Sequence, residues 1–457
     1  MQIVAQVAFV LALIAGIGFF VRNVRRLTRN IKLGRKIDRS DNPGERWGKM
    51  AKLALGQYKM VRRPVSGIVH IIVYLGFIII NIEVLEIILD GVFGTHRLFA
   101  GAGGAYDFLI ASFEILALLV FVGVIIFWIR RNVLHVYRFM AREMTSWPKN
   151  DANYILYFEM VLMLLFLTMN AADHQLQLNA QEMFEAGIPV SESVAHYVSA
   201  GYFPVSSWFL PIFEGVSNST LIIIERTAWW LHILGILFFL NYLYYSKHLH
   251  ILLAFPNVWF SKIRPKGEFD NIDAVTKEVQ LMMDPDADPF AAPAEPEGEE
   301  EGEPEKFGAS DVFDLNRVQL LNAYTCTECG RCTSECPANN TGKLLSPRKI
   351  MMDTRDRLEE VGENITKNGS FQPDGKQLLD DYILREEIWA CTTCNMCVEA
   401  CPVGIDPMSI IVEMRRYLMM EQSAGPSDLN NALSNIENNG APWPYNQMDR
   451  LNWATEN

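Results

Sequence analysis

Five long apolar stretches constrain the fold of this chain more than any other feature. They cover approximately residues 2–21, 65–89, 107–129, 153–172 and 221–246. Each is long enough to cross a bilayer as a helix, which takes about 20 apolar residues. Half of the 457 residues are hydrophobic and a fifth are charged, so the composition indicates membrane segments joined to a soluble part. The sequence predicts a five-span membrane domain over residues 1–256.

The lysines and arginines between these stretches indicate how the chain is oriented. Fourteen lie between residues 22 and 63 and five between 130 and 150, but the 90–106 connection has one and the 173–220 connection has none. Cytoplasmic loops are enriched in these residues. We therefore predict a bacterial or archaeal inner-membrane protein with its N-terminus outside. The first stretch is interpreted as an uncleaved anchor because its positive charges follow it.

All eight cysteines fall in two runs of the pattern C-x2-C-x2-C-x3-C-P, and none precedes residue 326. Such spacing lets three thiolates of one turn hold three irons of a [4Fe–4S] cluster, while the fourth ligates the other cluster. A disulfide framework does not fit this placement, and a pair of zinc sites would not require the third cysteine or the repeated proline. We predict one cluster on Cys326, Cys329, Cys332 and Cys401 and the other on Cys391, Cys394, Cys397 and Cys336.

The segment between the two runs is longer than in a small bacterial ferredoxin and contains helix-like stretches such as SPRKIMMDTRDRLEEV. This region resembles the α-helical ferredoxin domain of the small heterodisulfide reductase subunit and of the succinate dehydrogenase iron–sulfur subunit. The resemblance rests on two segments, AYTCTECGRCTSECPANNTGKLLSPRKI and IWACTTCNMCVEACPVGIDP. The resemblance implies an all-α dicluster domain over residues 307–425. Related fused proteins often continue into cysteine-rich CCG domains. No cysteine follows Cys401, so we expect a partner subunit to supply that chemistry.

Two further segments are assigned by composition. Residues 257–306 are predicted to be a connector followed by an acidic disordered linker, since residues 284–306 are rich in Pro, Ala and Glu. An acidic docking segment is the alternative. Residues 426–457 are predicted to be a C-terminal tail. No basic stripe is interleaved with stacking aromatic residues, so nucleic-acid binding is not expected.

Histidines in apolar stretches suggest a heme, because polar residues inside a membrane are costly and are often functional. His70 lies in the second stretch, and His232, His248 and His250 lie in the fifth or at its end. On one continuous helix His232 and His250 face the same way, whereas His248 points elsewhere and is interpreted as interfacial. His70 and His250 each lie six residues from a flanking proline, at similar depth. We predict that His70 and His250 are the two ligands of a heme b.

The second and fifth apolar stretches are similar to the cytochrome b subunit of respiratory nitrate reductase and to the heterodisulfide reductase cytochrome b. The similarity rests on the segments GIVHIIVYLGF and WWLHILGILFFLNYLYYSKHLHILLAFPN. The resemblance implies five spans with two hemes between the second and fifth helices. His70 and His250 match the ligands of the inner heme, and His232 matches a ligand of the outer one. The fourth position is Ile80, which leaves a second heme open. His174 and His96 are the candidate partners of His232.

The other polar residues in or near the stretches have less specific interpretations. His135 is interpreted as an interfacial anchor and His196 as a loop residue. Five acidic residues are candidates for proton transfer, although a pair such as Glu225 with Arg226 has a structural alternative. They are Glu83, Glu86, Glu114, Glu159 and Glu225.

The sequence thus predicts an all-α protein in which a five-helix cytochrome b bundle is joined to a cytoplasmic α-helical ferredoxin domain. We expect an electron-transfer subunit that connects menaquinone or ubiquinone with a cytoplasmic redox partner through heme b and two [4Fe–4S] clusters. Family resemblance suggests a CCG-domain subunit, serving a flavoprotein such as electron transfer flavoprotein, as that partner. No acid, base or nucleophile for a substrate is evident. The alternatives are a component of a heterodisulfide- or thiol-reductase-like enzyme and an iron–sulfur redox sensor.

Overall fold

The computed structural model describes residues 2–190, 192–197, 199–265, 267–285 and 306–455. Across these ranges the chain is helical and contains no β-strand, which confirms the all-α prediction. Most of the predicted acidic linker, residues 286–305, lies outside the described residues.

The helices of eight or more residues in the described ranges are numbered here in chain order. They are α1 (Gln2–Lys32), α2 (Pro43–Met50), α3 (Pro64–Phe93), α4 (Gly104–Asn132), α5 (Trp147–Glu185), α6 (Asn218–Tyr242), α7 (His250–Phe260), α8 (Asp273–Met283), α9 (Arg317–Thr325), α10 (Pro347–Asn368), α11 (Pro407–Arg416) and α12 (Ser427–Asn439).

Five of these helices, α1, α3, α4, α5 and α6, are long and apolar enough to cross a membrane. Each coincides with one of the five predicted stretches. They form a closed ring in which α1 packs on α3, α3 on α4, α4 on α5, α5 on α6, and α6 back on α1. The five apolar stretches therefore fold as one bundle.

Glycines allow neighbouring helices of the bundle to approach closely. A Cβ atom on Gly76 of α3 would clash with Val120 of α4, and one on Gly235 of α6 would lie 2.9 Å from Leu162 of α5. Small residues serve helix packing in membranes because association there depends on close van der Waals contact. The bundle is tightly packed at both crossings.

The cysteine region lies against one end of the bundle, which we call the near end; the opposite end is the far end. Leu27 of α1 and Leu243, directly after α6, belong to the same buried core as Leu320 of α9 and Ile350 of α10. The near end of the bundle therefore packs into the apolar core of the cysteine region, while the middle of the bundle has a core of its own.

Polar contacts also fix the cysteine region on the near end. The buried side chain of Arg348 is paired with Glu143, from the α4–α5 connection, at 2.7 Å. It also donates to the carbonyl oxygen of Arg138 at 2.6 Å. On the other side, Asn30 of α1 donates to the hydroxyl of Tyr324 at 2.9 Å. These contacts define the orientation of the cysteine region relative to the bundle.

The fifth spanning helix does not continue to His250, so the prediction of one helix carrying His232, His248 and His250 is wrong. After a short 3₁₀ turn the backbone becomes extended at Ser246, with φ −114° and ψ 146°, and α7 begins at His250. Asp151 of α5 holds this break, since its carboxylate accepts bonds from the Lys247 N–H at 3.1 Å and the Tyr242 hydroxyl at 2.6 Å.

Candidate functional site

The two cysteine runs fold into equivalent loops. The second and fourth positions after the first cysteine of each run have left-handed backbones: Glu328 and Gly330 in one loop, Thr393 and Asn395 in the other. A short helix follows each of them, Arg331–Ser334 and Met396–Ala400. Left-handed residues are uncommon outside turns, and here they turn the chain tightly enough to direct three successive cysteines towards one space.

The cysteines associate in two groups that cross between the runs. The Cys326 thiol lies within electrostatic range of Cys329 and Cys401, and the Cys332 thiol lies within that range of these three and also of Cys397. Cys336 lines a cavity with Cys391, Cys394 and Cys397, the three leading cysteines of the other run. This grouping is the one that the predicted crossed ligation requires.

The sulfur atoms are buried unequally, and several accept hydrogen bonds from backbone N–H groups. Backbone N–H groups of Thr393 and Ile405 lie 3.4 Å from the sulfurs of Cys391 and Cys401. Burial raises the pKa of Cys326 to about 12, and the negative charges around it add to this effect. Iron binding must therefore displace protons here, because the thiolate is the ligand. Cys394 is exposed, so the second group approaches the protein surface.

A site for a single metal ion is not formed by these groups. In the part of the chain that the structure describes, no three His, Cys, Asp or Glu side chains converge as the ligands of one ion do. Such convergence is what a tetrahedral zinc site with zinc–sulfur bonds of about 2.3 Å requires.

His70 of α3 and His250 of α7 face each other at the near end, with ring centres 6.3 Å apart. Metal–nitrogen bonds of about 2 Å on both sides of one ion place the centres of two imidazole rings about 6 Å apart. The spacing of the two rings is compatible with both residues holding one heme iron. The structure brings them together although they are 180 positions apart in sequence.

The hydrogen bond of His250 leaves its other nitrogen suited to metal binding. The Nδ1 atom of His250 lies 3.1 Å from the carbonyl oxygen of Lys247. A carbonyl only accepts hydrogen bonds, so Nδ1 carries the proton and Nε2 keeps its lone pair. Such a bond to the second nitrogen is typical of ligating histidines and fixes the ring orientation.

His248 does not point away from the pair, contrary to its interpretation as interfacial. Its ring centre lies 5.4 Å from that of His250, and its Nε2 atom lies 3.6 Å from the carboxylate of Glu159. The break at Ser246 changes the helical register on which the interpretation depended. His248 and Glu159 thus belong to the surroundings of His70 and His250.

His232 lies deeper in the bundle, apart from this pair. Its Nδ1 is 3.1 Å from the carbonyl oxygen of Leu162, and its ring centre is 6.0 Å from that of Phe166. The two candidate partners have other neighbours: His174 stacks on Phe203, and His96 lies beside Asp173, His196 and Tyr197. In the described structure, no histidine ring contact pairs His232 with either candidate.

Lys247 and Glu328 join the histidine pair to the first cysteine loop. The buried ammonium of Lys247 forms an ion pair with Glu328, which lies between Cys326 and Cys329, and Arg355 binds the other carboxylate oxygen at 2.8 Å. Burial would raise the pKa of Glu328, but these two cations lower it below its usual value. The cysteine pattern leaves the residue at position 328 unspecified, and no pattern marks Lys247 as its partner, so sequence reasoning missed both.

The acidic candidates mainly anchor the far end of the bundle. Glu114 accepts the N–H groups of Val205 and Ser206 at 2.9 and 3.0 Å, and Glu86 accepts the Tyr106 hydroxyl at 2.9 Å. Glu225 is paired with its neighbour Arg226, as the structural alternative proposed. Of the five, only Glu83 has a buried carboxylate oxygen without a hydrogen-bond partner among the described residues. Glu114 therefore holds the loop before α6, and Glu86 holds the connection before α4.

A second buried polar group at the far end was not predicted. Arg97 donates to Asp173 at 2.6 Å, to Asn170 at 3.1 Å and to the Tyr106 hydroxyl at 3.1 Å. Arg97 is the only lysine or arginine in the 90–106 connection, which is a signal that it has a specific partner. We interpreted this only as an indication of how the chain is oriented in the membrane. The network fixes the connection before α4 to the side of α5 at Asn170 and Asp173 and to the first turn of α4.

Comparison with known proteins supports the iron–sulfur assignment. The family described as a 4Fe-4S dicluster domain matches residues 325–405. The chain is 30% identical over 469 residues to the probable iron-sulfur-binding oxidoreductase FadF of Bacillus subtilis, covering 96% of this chain and 59% of that protein. It is 24% identical over 445 residues to the EtfAB:quinone oxidoreductase of Syntrophomonas wolfei, covering 92% and 55%.

The cysteine region has relatives of its own. It is 32% identical over 114 residues to one subunit of the ferredoxin/F(420)H(2)-dependent CoB-CoM heterodisulfide reductase of Methanosarcina acetivorans, covering 25% of this chain and 56% of that subunit. The chain spans little more than half the length of the first two relatives. No solved structure matches it. The relatives are iron–sulfur oxidoreductases or their subunits, and this chain has the dicluster region and the apolar helices of a membrane-associated electron-transfer component.

Proposed function

We propose that this chain carries electrons between the membrane quinone pool and a cytoplasmic redox partner. One heme b bound by His70 and His250 and two [4Fe–4S] clusters bound by the eight cysteines would form the path. The observation that carries the proposal is the pair of facing imidazoles, 6.3 Å apart, at the end of the bundle on which the cysteine loops pack. Heme supplies one-electron chemistry between a two-electron quinol and the clusters.

The order of the path follows from the contacts at the near end. Lys247 accepts a hydrogen bond from His250 through its carbonyl oxygen and holds Glu328 of the first loop through its ammonium. We therefore assign the cluster of Cys326, Cys329, Cys332 and Cys401 to the position next to the heme. The cluster that includes the exposed Cys394 would be the point of exchange with the soluble partner.

A second heme at His232 is the open part of this proposal. The bond from Nδ1 to the Leu162 carbonyl leaves Nε2 with a lone pair, as in His250. A second protein ligand is required for a six-coordinate heme, and the ring neighbours of His174 and His96 lie elsewhere. We propose one heme on His70 and His250, and we expect substitution of His232 to leave it in place.

The orientation and partners are proposed from charge and from the relatives. The near end carries the lysine- and arginine-rich connections, which favours its position in the cytoplasm and the N-terminus outside. One relative is named for a reaction between EtfAB and quinone. We accordingly propose a flavoprotein of the electron transfer flavoprotein class as the donor or acceptor, reached through a CCG-domain iron–sulfur partner. The chain would be an oxidoreductase component that depends on these partners.

Purification of the native complex followed by optical and EPR spectroscopy tests the proposal. Quinol should generate the α-band of a reduced b-type heme and then the EPR signals of reduced clusters. Dithionite defines the full heme content, and membranes lacking the chain define the background. A heme band that dithionite produces but quinol does not would refute the link to quinone. Complete absence of a b-type band would refute the heme.

The heterodisulfide reductase subunits among the relatives favour a second candidate, a component of a thiol-reducing enzyme. This candidate predicts that the purified complex reduces a disulfide with electrons from quinol or another donor. Electron transfer to a flavoprotein without disulfide reduction would favour the first proposal. Measuring both acceptors with one preparation separates the two.

A further inference from the structure

Four arginines form a continuous cationic face where α1 leaves its apolar part. The four arginines are Arg22, Arg25, Arg26 and Arg29. Their spacings of three, one and three residues place all four within about 100° of the helix circumference. They line one open groove together with Gly18 and Val21. We call this surface the arginine face.

Two of these side chains make no ion pair or hydrogen bond with the residues that the structure describes. Among the described residues, Arg25 and Arg26 have neither, and Arg22 lies over the Phe19 ring at 4.9 Å. Arg29 instead donates to the carbonyl oxygen of Gly362 in α10 at 2.6 Å. The face thus presents several uncompensated guanidinium groups beside the junction with the cysteine region.

The position of the face matches the headgroup layer of a membrane. Arg22 follows Gln2 by 20 residues, or about 30 Å of helix at about 1.5 Å per residue, which is the thickness of the hydrocarbon core. The apolar part of α1 is the least covered of the five spanning helices. Ile14, Ile17 and Val21 are exposed directly before the arginines. A ligand bound here would contact exposed apolar side chains at one end and positively charged guanidinium groups at the other.

We infer that the arginine face binds an anionic phospholipid, with its phosphate on Arg22, Arg25 and Arg26 and an acyl chain along Ile14 and Val21. Guanidinium groups bind phosphate through paired N–H donors. Basic clusters at the edge of a spanning helix attract anionic headgroups. The lipid would also lie beside Arg29 and its contact with Gly362, and would stabilise the junction between the bundle and the cysteine region. This inference is independent of heme and quinone.

Lipid binding to the full chain in detergent, measured by native mass spectrometry, tests the inference. Phosphatidylglycerol is the probe and phosphatidylcholine is the neutral comparison. The triple variant Arg22→Gln, Arg25→Gln, Arg26→Gln should bind phosphatidylglycerol at least about tenfold more weakly, and phosphatidylcholine equally. Eleven cationic residues remain between positions 22 and 63 in this variant, so the orientation signal is preserved.

A matched control removes the same number of charges elsewhere at the near end, through Lys36→Gln, Arg142→Gln and Lys149→Gln. These side chains are exposed. Equal loss of phosphatidylglycerol in both triples, or equal wild-type affinity for the two lipids, would show general attraction only and overturn the inference. If the arginine triple fails to fold, as judged by its iron–sulfur absorbance, Arg25→Gln and Arg25→Lys replace it. Lysine should retain most of the affinity, and an Arg25→Gln variant that binds like wild type overturns the inference.

Discussion

Lys247 forms a buried ion pair with Glu328, so that a residue three positions before His250 holds the loop between Cys326 and Cys329. The two side chains are 9% and 3% exposed. The same lysine accepts the hydrogen bond of the His250 ring through its backbone. One residue therefore contacts both the proposed heme ligand and the proposed first cluster.

Removing the charge of Lys247 should lower the midpoint potential of the cluster on Cys326. In Lys247→Gln a positive charge that favours the reduced cluster is lost, while Arg355 still keeps Glu328 ionised. We expect a decrease on the order of tens of millivolts in an EPR redox titration. Heme content should be retained, because the contact with His250 is a backbone one. Lys247→Arg should restore the potential, and the exposed Lys149→Gln should not change it. A potential in Lys247→Gln equal to that of wild type would contradict the proposed proximity.

The break before His250 should depend on Asp151. In Asp151→Ala the N–H of Lys247 and the hydroxyl of Tyr242 lose their acceptor, so the backbone at Ser246 is no longer held extended. The fifth helix can then continue and displace His250, and we expect loss of most b-type heme absorbance with retention of iron. Asp107→Ala, which removes a single bond to Gly201 at the far end, is the control. Full heme content in Asp151→Ala would show that the break forms without this carboxylate.

The crossing of the cysteine runs makes a specific prediction about Cys336. It should ligate the same cluster as Cys391, so Cys336→Ser and Cys391→Ser should change the same EPR signal. Cys326→Ser should change the other one, together with Cys401→Ser. EPR spectra of the four single variants, each with its iron content, provide the measurement. If Cys336→Ser and Cys326→Ser instead affect one common cluster, each run ligates its own cluster.

Arg348 should stabilise the junction between the bundle and the cysteine region. Burial would raise the pKa of Glu143, but the Ser346 hydroxyl and the Arg348 guanidinium hold it below its usual value. Because the folded pKa is lowered, this contribution is fully present above about pH 4.5 and is lost only as the pH falls below that value. Arg348→Met leaves a largely buried carboxylate without its cation, which costs about 3 kcal/mol.

Thermal unfolding of the purified protein measures this effect. The midpoint should decrease by a similar amount at pH 6, 7 and 8, since Glu143 stays ionised throughout. Arg385→Gln removes an arginine from an exposed pair with Asp380 and should change the midpoint little. Equal midpoints for Arg348→Met and Arg385→Gln would contradict a stabilising role for Arg348.

Local sequence patterns predicted the five helices and the cysteine runs because hydropathy and ligand spacing are properties of short segments. The same patterns failed at Ser246. The residues around it include no proline or glycine that would signal a break, whereas the break is held by Asp151, about a hundred positions earlier. The misassignment of His248 follows from this one long-range contact.

The juxtaposition of His70 and His250 was predicted, although partly from a wrong premise. Their similar distances from flanking prolines gave the right depth, but the argument from one continuous helix did not apply. Lys247, Glu328 and Arg97 were missed because a buried charge is recognisable only when its partner is known. Each of their partners lies more than ten residues away or on another helix.

The most direct test of the account is the heme content of His70→Ala and His250→Ala. Both variants, wild type and the control His135→Asn should be purified at equal iron content, and quinol-reduced minus oxidised spectra recorded. His135 is exposed and has a left-handed backbone, which asparagine tolerates. We predict that the b-type α-band disappears in both alanine variants and persists in His135→Asn. A band of unchanged position and intensity in His70→Ala would contradict the account.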